Sequence, residues 1–230
     1  MTLLKKTVQG FFNSLGYTIV KNSKQERKKW IDVHDAIGHN SRENMNEFFK
    51  DENLLTDYIN EDRISFYKDV AFQLSNARID LDQQHVVDVG CGTGHLLHYI
   101  SEAFKFKKAT GLEYSPEAIK IAKKLFPAFD FFEYDIYQPW HEMYDIVLCT
   151  EVLEHLLYPN KALSNMLKMC KDNGCLFITV PNGRIDNFGG HINFWSPESW
   201  NVFIQTNCEN AEIRTGTLID NRINYALIRK

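Results

Sequence analysis

The sequence predicts an α/β protein: a seven-stranded, mostly parallel sheet with helices on both faces and an antiparallel pair at one edge. Three observations carry that expectation. From residue 85 onward, short β-branched or aromatic runs alternate with stretches of helical periodicity, as parallel strands joined by crossover helices do. One such run, Val86–Val89, passes directly into a glycine-rich turn and a helix start. Near the C-terminus, Glu212–Thr215 and Tyr225–Ile228 leave no room for a helix between them, so they read as an antiparallel pair.

Three parts follow one another along the chain. Residues 1–29 form a basic amphipathic N-terminal arm, with Leu4, Val8, Phe11, Phe12 and Leu15 at helical spacing up to Gly16 and Lys5 and Lys6 among them. A helix of this kind packs on its own domain, packs on a second subunit in a homodimer, or docks on a membrane surface; the spacing leaves these alternatives open. Residues 30–80 read as a helical cap, whose best-patterned helix repeats Ile64, Tyr67, Val70, Ala71 and Leu74. Residues 81–230 hold the alternating domain. Its strands are expected at 86–89, 109–112, 130–134, 146–149 and 175–180, with helices at 96–104, 116–126, 160–170 and 197–204, before the closing pair.

Composition bounds the function. The 230 residues are 44% apolar and 24% charged, enough to bury a full core, and the longest apolar runs fall well short of a membrane span. No secretory signal is visible. The five cysteines are scattered and form no CxxC pair, so the expectation is a reducing, cytoplasmic compartment without a zinc ribbon or disulfide framework. Residues 1–30 carry seven Lys/Arg and one Glu, a net +6; with −4 for the whole chain, residues 31–230 carry −10. An acidic body of that kind argues against a broad phosphate-tracking surface for nucleic acid.

The most informative segment is Val86-Val87-Asp88-Val89-Gly90-Cys91-Gly92-Thr93-Gly94-His95. Glycines let the backbone bend sharply there and let a ligand approach where a Cβ would stand, and the following helix start offers free N–H groups. A dinucleotide site needs a third glycine where His95 stands, which counts against a nicotinamide-dependent oxidoreductase. The G-x-G-x-G turn with Asp88 before it resembles the first motif of the class I S-adenosylmethionine-dependent methyltransferases, and the rest of residues 85–230 follows that family's order of motifs.

The resemblance implies a Rossmann-like fold, S-adenosylmethionine as cofactor and S-adenosylhomocysteine as product. It implies a cofactor site at Asp88, Gly90, Cys91, Gly92 and Gly94, with Glu113 taking the ribose hydroxyls, Tyr114 against the adenine, and Asp135 with Ile136 at the adenine amino group. Thr150 and Glu151, at the end of the fourth strand, belong to the same set. Tyr67 either covers the methionine end of the cofactor or is ordinary helix packing.

Methyl transfer to a hydroxyl needs an oriented acceptor and a group that takes its proton. His191, in the long loop after the fifth strand, is the first candidate base and His155 the second; His85, His95, His98 and His141 have no such partners in sequence. The loop's Gly189-Gly190 suggests mobility, and Phe188, Phe194 and Trp195 offer an apolar wall or a stacking surface for a sugar. The run Glu151-Val152-Leu153-Glu154-His155 resembles ubiquinone-biosynthesis and glycan-pathway methyltransferases, and also small-RNA 2′-O-methyltransferases that bind a divalent ion. Glu151, Glu154, His155 and His191 are therefore a metal-binding alternative, ranked below a metal-free site. The expected function is methylation of a small molecule, O-directed, on a carbohydrate or a nucleotide-linked or phosphorylated acceptor. RNA 2′-O-methylation and a non-catalytic cofactor-binding subunit are the alternatives.

Overall fold

The computed structural model describes residues 37–51, 55, 59–79, 81–209 and 211–230. The expected N-terminal arm lies outside the described residues. Of the cap, two helices are described: α1 (Arg42–Lys50) and α2 (Glu61–Asn76). Ser41 caps α1 by accepting from the Asn44 N–H at 3.3 Å, and Asn60 caps α2 by accepting from Arg63 at 2.9 Å. On α2, Phe66, Tyr67, Val70, Ala71 and Leu74 form one buried stripe.

The alternating domain contains β1 (His85–Val89), α3 (His95–Ser101), β2 (Lys108–Glu113), α4 (Pro116–Leu125), β3 (Asp130–Glu133), β4 (Tyr144–Thr150), α5 (Pro159–Met169), β5 (Cys170–Pro181), α6 (Pro197–Asn207), β6 (Glu212–Leu218) and β7 (Ile223–Arg229). The seven strands run in the order β3-β2-β1-β4-β5-β7-β6. All neighbours as far as β5 are parallel; β7 pairs antiparallel with β5, and β6 antiparallel with β7 at the edge. Sequence and structure differ most at β5. The expected helix through Cys170 stops at Met169, because Cys170 already pairs with Tyr144 across a bulge that Asn173, at φ +63°, helps to form.

Strand alternation divides the core in two. Val86, Ile146, Leu148 and Phe177 pack with α2, α3 and the Ile119/Ala122 face of α4. Val87, Val89, Val147 and Ile178 pack with Ala162, Leu163 and Met166 of α5 and with Trp200 and Ile204 of α6. All five cysteines are reduced and buried, Cys91 and Cys175 in the first layer and Cys149, Cys170 and Cys208 in the second. Burial pushes every one of these thiols up, Cys170 and Cys175 to about 12 and Cys208 to about 11. Among the described residues no helix is long and apolar enough to cross a membrane.

Two positions bind the first layer to the sheet ends. Phe131 of β3 lies under the glycine turn, so a Cβ on Gly111 would stand 2.4 Å from its ring and 2.7 Å from the Cys91 sulfur. Asp88, 1% exposed, has a buried carboxylate oxygen with no partner. Burial, reinforced by the Glu113 charge, pushes its pKa up to about 8.

Gly111→Ala is expected to destabilise the fold by about 1–3 kcal/mol through overpacking, read as a lower denaturation midpoint at unchanged slope. Because the Asp88 pKa is higher folded than unfolded, the ligand-free chain loses stability as pH rises from about 4 through about 8. Asp88→Asn should therefore flatten this dependence, raising the melting temperature at about pH 9 by about 5 °C relative to the parent. Equal pH slopes for the two proteins would contradict the assignment.

Candidate functional site

The strand order reverses direction between β1 and β4, so the crevice beyond their carboxyl ends is where an open α/β sheet receives a ligand. On the β1 side the chain turns through Gly90, Gly92 and Gly94 at φ +81°, +51° and +83°, conformations that side chains with a Cβ rarely adopt. A Cβ on Gly90 would come within 2.4 Å of Val152, so the glycine turn rests directly on the segment that follows β4. Glu113 ends β2 beside this turn. Its two oxygens accept from the Gly92 N–H at 3.0 Å and the Ser115 N–H at 2.8 Å, which fixes the carboxylate's orientation. Burial raises its pKa, and those backbone donors oppose the shift.

Helix α1 covers the same strand ends. The Ser115 hydroxyl donates to Asn46 Oδ1 at 2.6 Å, Arg42 pairs with Glu133 and lies 5.4 Å over the Tyr114 ring, and the Phe49 ring faces Gly92. Tyr114 is half-exposed beside Glu113. Asp135 and Ile136 follow β3; Asp135 accepts from the Tyr137 N–H at 2.9 Å, and the Ile136 carbonyl is held by Asn165. Cys91 is buried in the turn, and Thr150 pairs with Thr179 at the end of β4. Tyr67 is buried in the first core layer with its ring stacked on Tyr99 at 5.9 Å, a placement that helix packing accounts for.

The segment after β4 does not begin as an α-helix. Glu151 sits at φ +56° and is held there by Thr179, whose carbonyl accepts its N–H at 3.0 Å and whose hydroxyl donates to its carboxylate at 2.9 Å. A 3-10 turn, Leu153–His155, follows. As a result Glu151, Glu154 and His155 do not share a helical face. The donor atoms that converge among the described residues are those of Glu154, His155 and His191, all within 4.8 Å of one another; Glu151 is outside the set. Burial drives Glu151 up to about 7 against the attraction of Arg63, and it drives Glu154 well above the usual carboxylate range with the Glu151 charge adding to it.

Glu154 is 1% exposed, and neither of its oxygens has a hydrogen-bond partner. The Nε2 atoms of His155 and His191 stand 3.9 and 4.0 Å from its Oε1, and the two rings are 4.6 Å apart. Burial and the neighbouring His191 lower the His155 pKa to about 4, so that ring is neutral at pH 7. The loop carrying His191 is tied to this turn: Ile192 and Asn193 donate their N–H groups to the Glu154 carbonyl at 2.8 and 3.0 Å. Gly190, expected to loosen the loop, is buried, and its carbonyl is shared by His155 Nδ1 at 3.2 Å and the Asn40 amide at 2.7 Å. Phe188 and Phe194 flank His191 at 4.9 and 6.2 Å and are 49% and 39% exposed, forming an apolar rim. Sequence reasoning missed Asp186, whose Oδ2 meets His191 Nδ1 at 2.6 Å; its place five residues before the histidine was the available signal.

Both halves suit the groups the motifs imply. The orphaned Asp88 oxygen, the oriented Glu113 carboxylate and a turn with glycine at every second position suit a cationic ligand bearing hydroxyls. An unpartnered buried carboxylate between two imidazole nitrogens is a donor set that suits a divalent ion.

Comparison with known proteins agrees with this geometry. The family model described as a methyltransferase domain matches residues 25–210. A ubiquinone biosynthesis O-methyltransferase of Coxiella burnetii is 33% identical over 113 residues, covering 46% of this chain and 47% of its own. The mitochondrial ubiquinone biosynthesis O-methyltransferase of Candida albicans is 30% identical over 170 residues, covering 65% of this chain and 49% of its own. The chain spans about half the length of the curated relatives it matches. Among solved structures, the N-methyltransferase NodS of Bradyrhizobium japonicum WM9, in complex with S-adenosyl-L-homocysteine, aligns at a TM-score of 0.65 and 18% identity, over 82% of this chain and 97% of NodS. At that identity the likeness is one of fold. With its reversed strand order, its G-x-G-x-G turn and a family match over most of its length, the chain belongs to the methyltransferase domain family, of the class I type whose cofactor is S-adenosylmethionine.

Proposed function

We propose that this chain transfers a methyl group from S-adenosylmethionine to a hydroxyl oxygen of a small, ring-bearing acceptor. The observation that carries the reading is the convergence of Glu154, His155 and His191 next to the glycine turn, with Val152 of the same segment packed against Gly90. When bound, the cofactor supplies a methyl on a sulfonium; its C–S bond breaks as the C–O bond forms, and the electron pair returns to sulfur. The protein's part is positioning and proton removal. Glu113 would hold the ribose hydroxyls with the carboxylate already fixed by Gly92 and Ser115, and Tyr114 and Asp135 would bound the adenine. Phe188 and Phe194 suit the face of a ring, whether of a sugar or an aromatic compound, and they shield the site from water. The names of the curated relatives support oxygen as the methylated atom.

For the acceptor proton, the geometry favours the divalent-ion alternative over the metal-free site ranked first from sequence. A cation held by Glu154, His155 and His191 would make a hydroxyl more acidic. The supporting fact is Glu154 itself: a fully buried carboxylate without a donor is costly unless a cation accompanies it. The close Asp186–His191 pair supports the second reading, in which His191 takes the proton directly.

Glu113→Gln is expected to weaken S-adenosylhomocysteine binding by about 10-fold or more, measured by calorimetry. In a screen of hydroxylated ring compounds by mass spectrometry, turnover with an accepted substrate should vanish on EDTA treatment and return with Mg²⁺ or Mn²⁺. Glu154→Ala should then lose at least about 100-fold in kcat/KM. Full activity in EDTA together with loss in His191→Ala would instead assign the base role to His191.

A further inference from the structure

His155 Nδ1 approaches the Gly190 carbonyl at 3.2 Å, and a carbonyl can only accept, so this nitrogen carries the hydrogen. His191 Nδ1 approaches Asp186 Oδ2 at 2.6 Å, where an ionised carboxylate again requires a donor. In a neutral imidazole a hydrogen on Nδ1 leaves a lone pair on Nε2. Both Nε2 atoms are the ones that stand 3.9 and 4.0 Å from Glu154 Oε1. Two outer acceptors thus set the direction of two inner donors.

Those acceptors are themselves held. Asp186 is 10% exposed on its side chain; its Oδ1 accepts from the Phe188 N–H at 3.1 Å, and its own N–H donates to the Asn182 carbonyl at 3.0 Å. The Gly190 carbonyl is clasped by the Asn40 amide, which reaches it from just before α1, 150 positions away in sequence. A Cβ on Gly190 would stand 2.4 Å from the His39 ring, so the two segments are in close contact.

We propose that Asp186 is the positioning residue of the acceptor-side histidines: it locks His191 with the hydrogen on Nδ1 and the Nε2 lone pair toward Glu154, while the Gly190 carbonyl, held by Asn40, does the same for His155. This rests on reading Glu154, His155 and His191 as one ligand set. Asp186 acts through His191 and touches neither acceptor nor cofactor. Removing such an outer partner lowers metal affinity about 10–100-fold.

The test uses the full chain labelled with ¹⁵N-histidine, with tautomers read from long-range ¹⁵N–¹H spectra at alkaline pH, where imidazoles are neutral. The parent should show the Nδ1–H form at both His155 and His191. Asp186→Ala should convert His191 to a mixture rich in the Nε2–H form and leave His155 unchanged. Asp186→Asn, whose amide oxygen still accepts, should restore the parent tautomer, and Asn40→Ala should disturb His155 alone. Calorimetric titration with Mn²⁺ should show the roughly 10–100-fold loss in Asp186→Ala. An Nε2–H form at His191 in the parent, or a tautomer and Mn²⁺ affinity unmoved by Asp186→Ala, would overturn the proposal. If the parent binds no Mn²⁺ while Asp186→Ala still shifts the His191 tautomer, the positioning role stands and the ion reading falls.

Discussion

The structure depends on one steric constraint, the absence of side chains where β1 turns into α3. With no Cβ at Gly90, Val152 packs against the turn; with none at Gly94 or Gly111, Phe131 slides beneath it. Pairing in the sheet already sets the ends of β1, β2 and β4 side by side, and these contacts seat the turn closely against them. The carboxylates of Asp88, Glu113 and Glu154 inherit their positions from that approach. Each is at least nine-tenths buried. Desolvation alone would disfavour three buried acids so close to one crevice, and the fold tolerates them by different means. Glu113 is satisfied by two backbone donors, whereas Asp88 and Glu154 retain oxygens without partners. Asp88 and Glu154 are thus the two acids whose burial is left uncompensated among the described residues.

The site has two supports of different kinds. The proposed cofactor half is positioned chiefly by backbone: positive-φ glycines and strand tips whose places follow from the sheet, with the Glu113 carboxylate fixed by two N–H groups. The acceptor half is made of side chains on loops, and hydrogen bonds tie those loops down. Glu151, in a left-handed conformation, is held by Thr179; the His191 loop is held by the Glu154 carbonyl, by Asp186 and by Asn40. Strain at Glu151 is thereby sustained beside the proposed acceptor side, a common location for it.

The same division explains what was legible in the sequence. The short apolar runs of β1, β4 and β5 alternating with helical stretches, the turn glycines and the closing β6–β7 pair are local signals, and the sheet was readable from them. So was the place of Glu113, one strand over from Asp88. The acceptor side was legible in part. His155 and His191 stood out by chemistry, but the resemblance grouped Glu151 with them and Glu154, whereas the positive φ at Glu151 and the 3-10 turn after it leave Glu151 outside the converging donors. Asp186 sits in a stretch without periodicity, where its nearness to His191 was the one cue, and Asn40 reaches Gly190 from 150 positions away, a contact that leaves no pattern along the sequence.

The five thiols give the two core layers a built-in clock. Because all are buried and pushed above the usual thiol range, almost no thiolate is exposed while the sheet is closed. Modification by an alkylating reagent therefore counts opening events. Cys91 and Cys175 time the layer under α2 and α3, and Cys149, Cys170 and Cys208 time the layer under α5 and α6, so one labelling course followed by peptide mapping separates the breathing of the sheet's two sides.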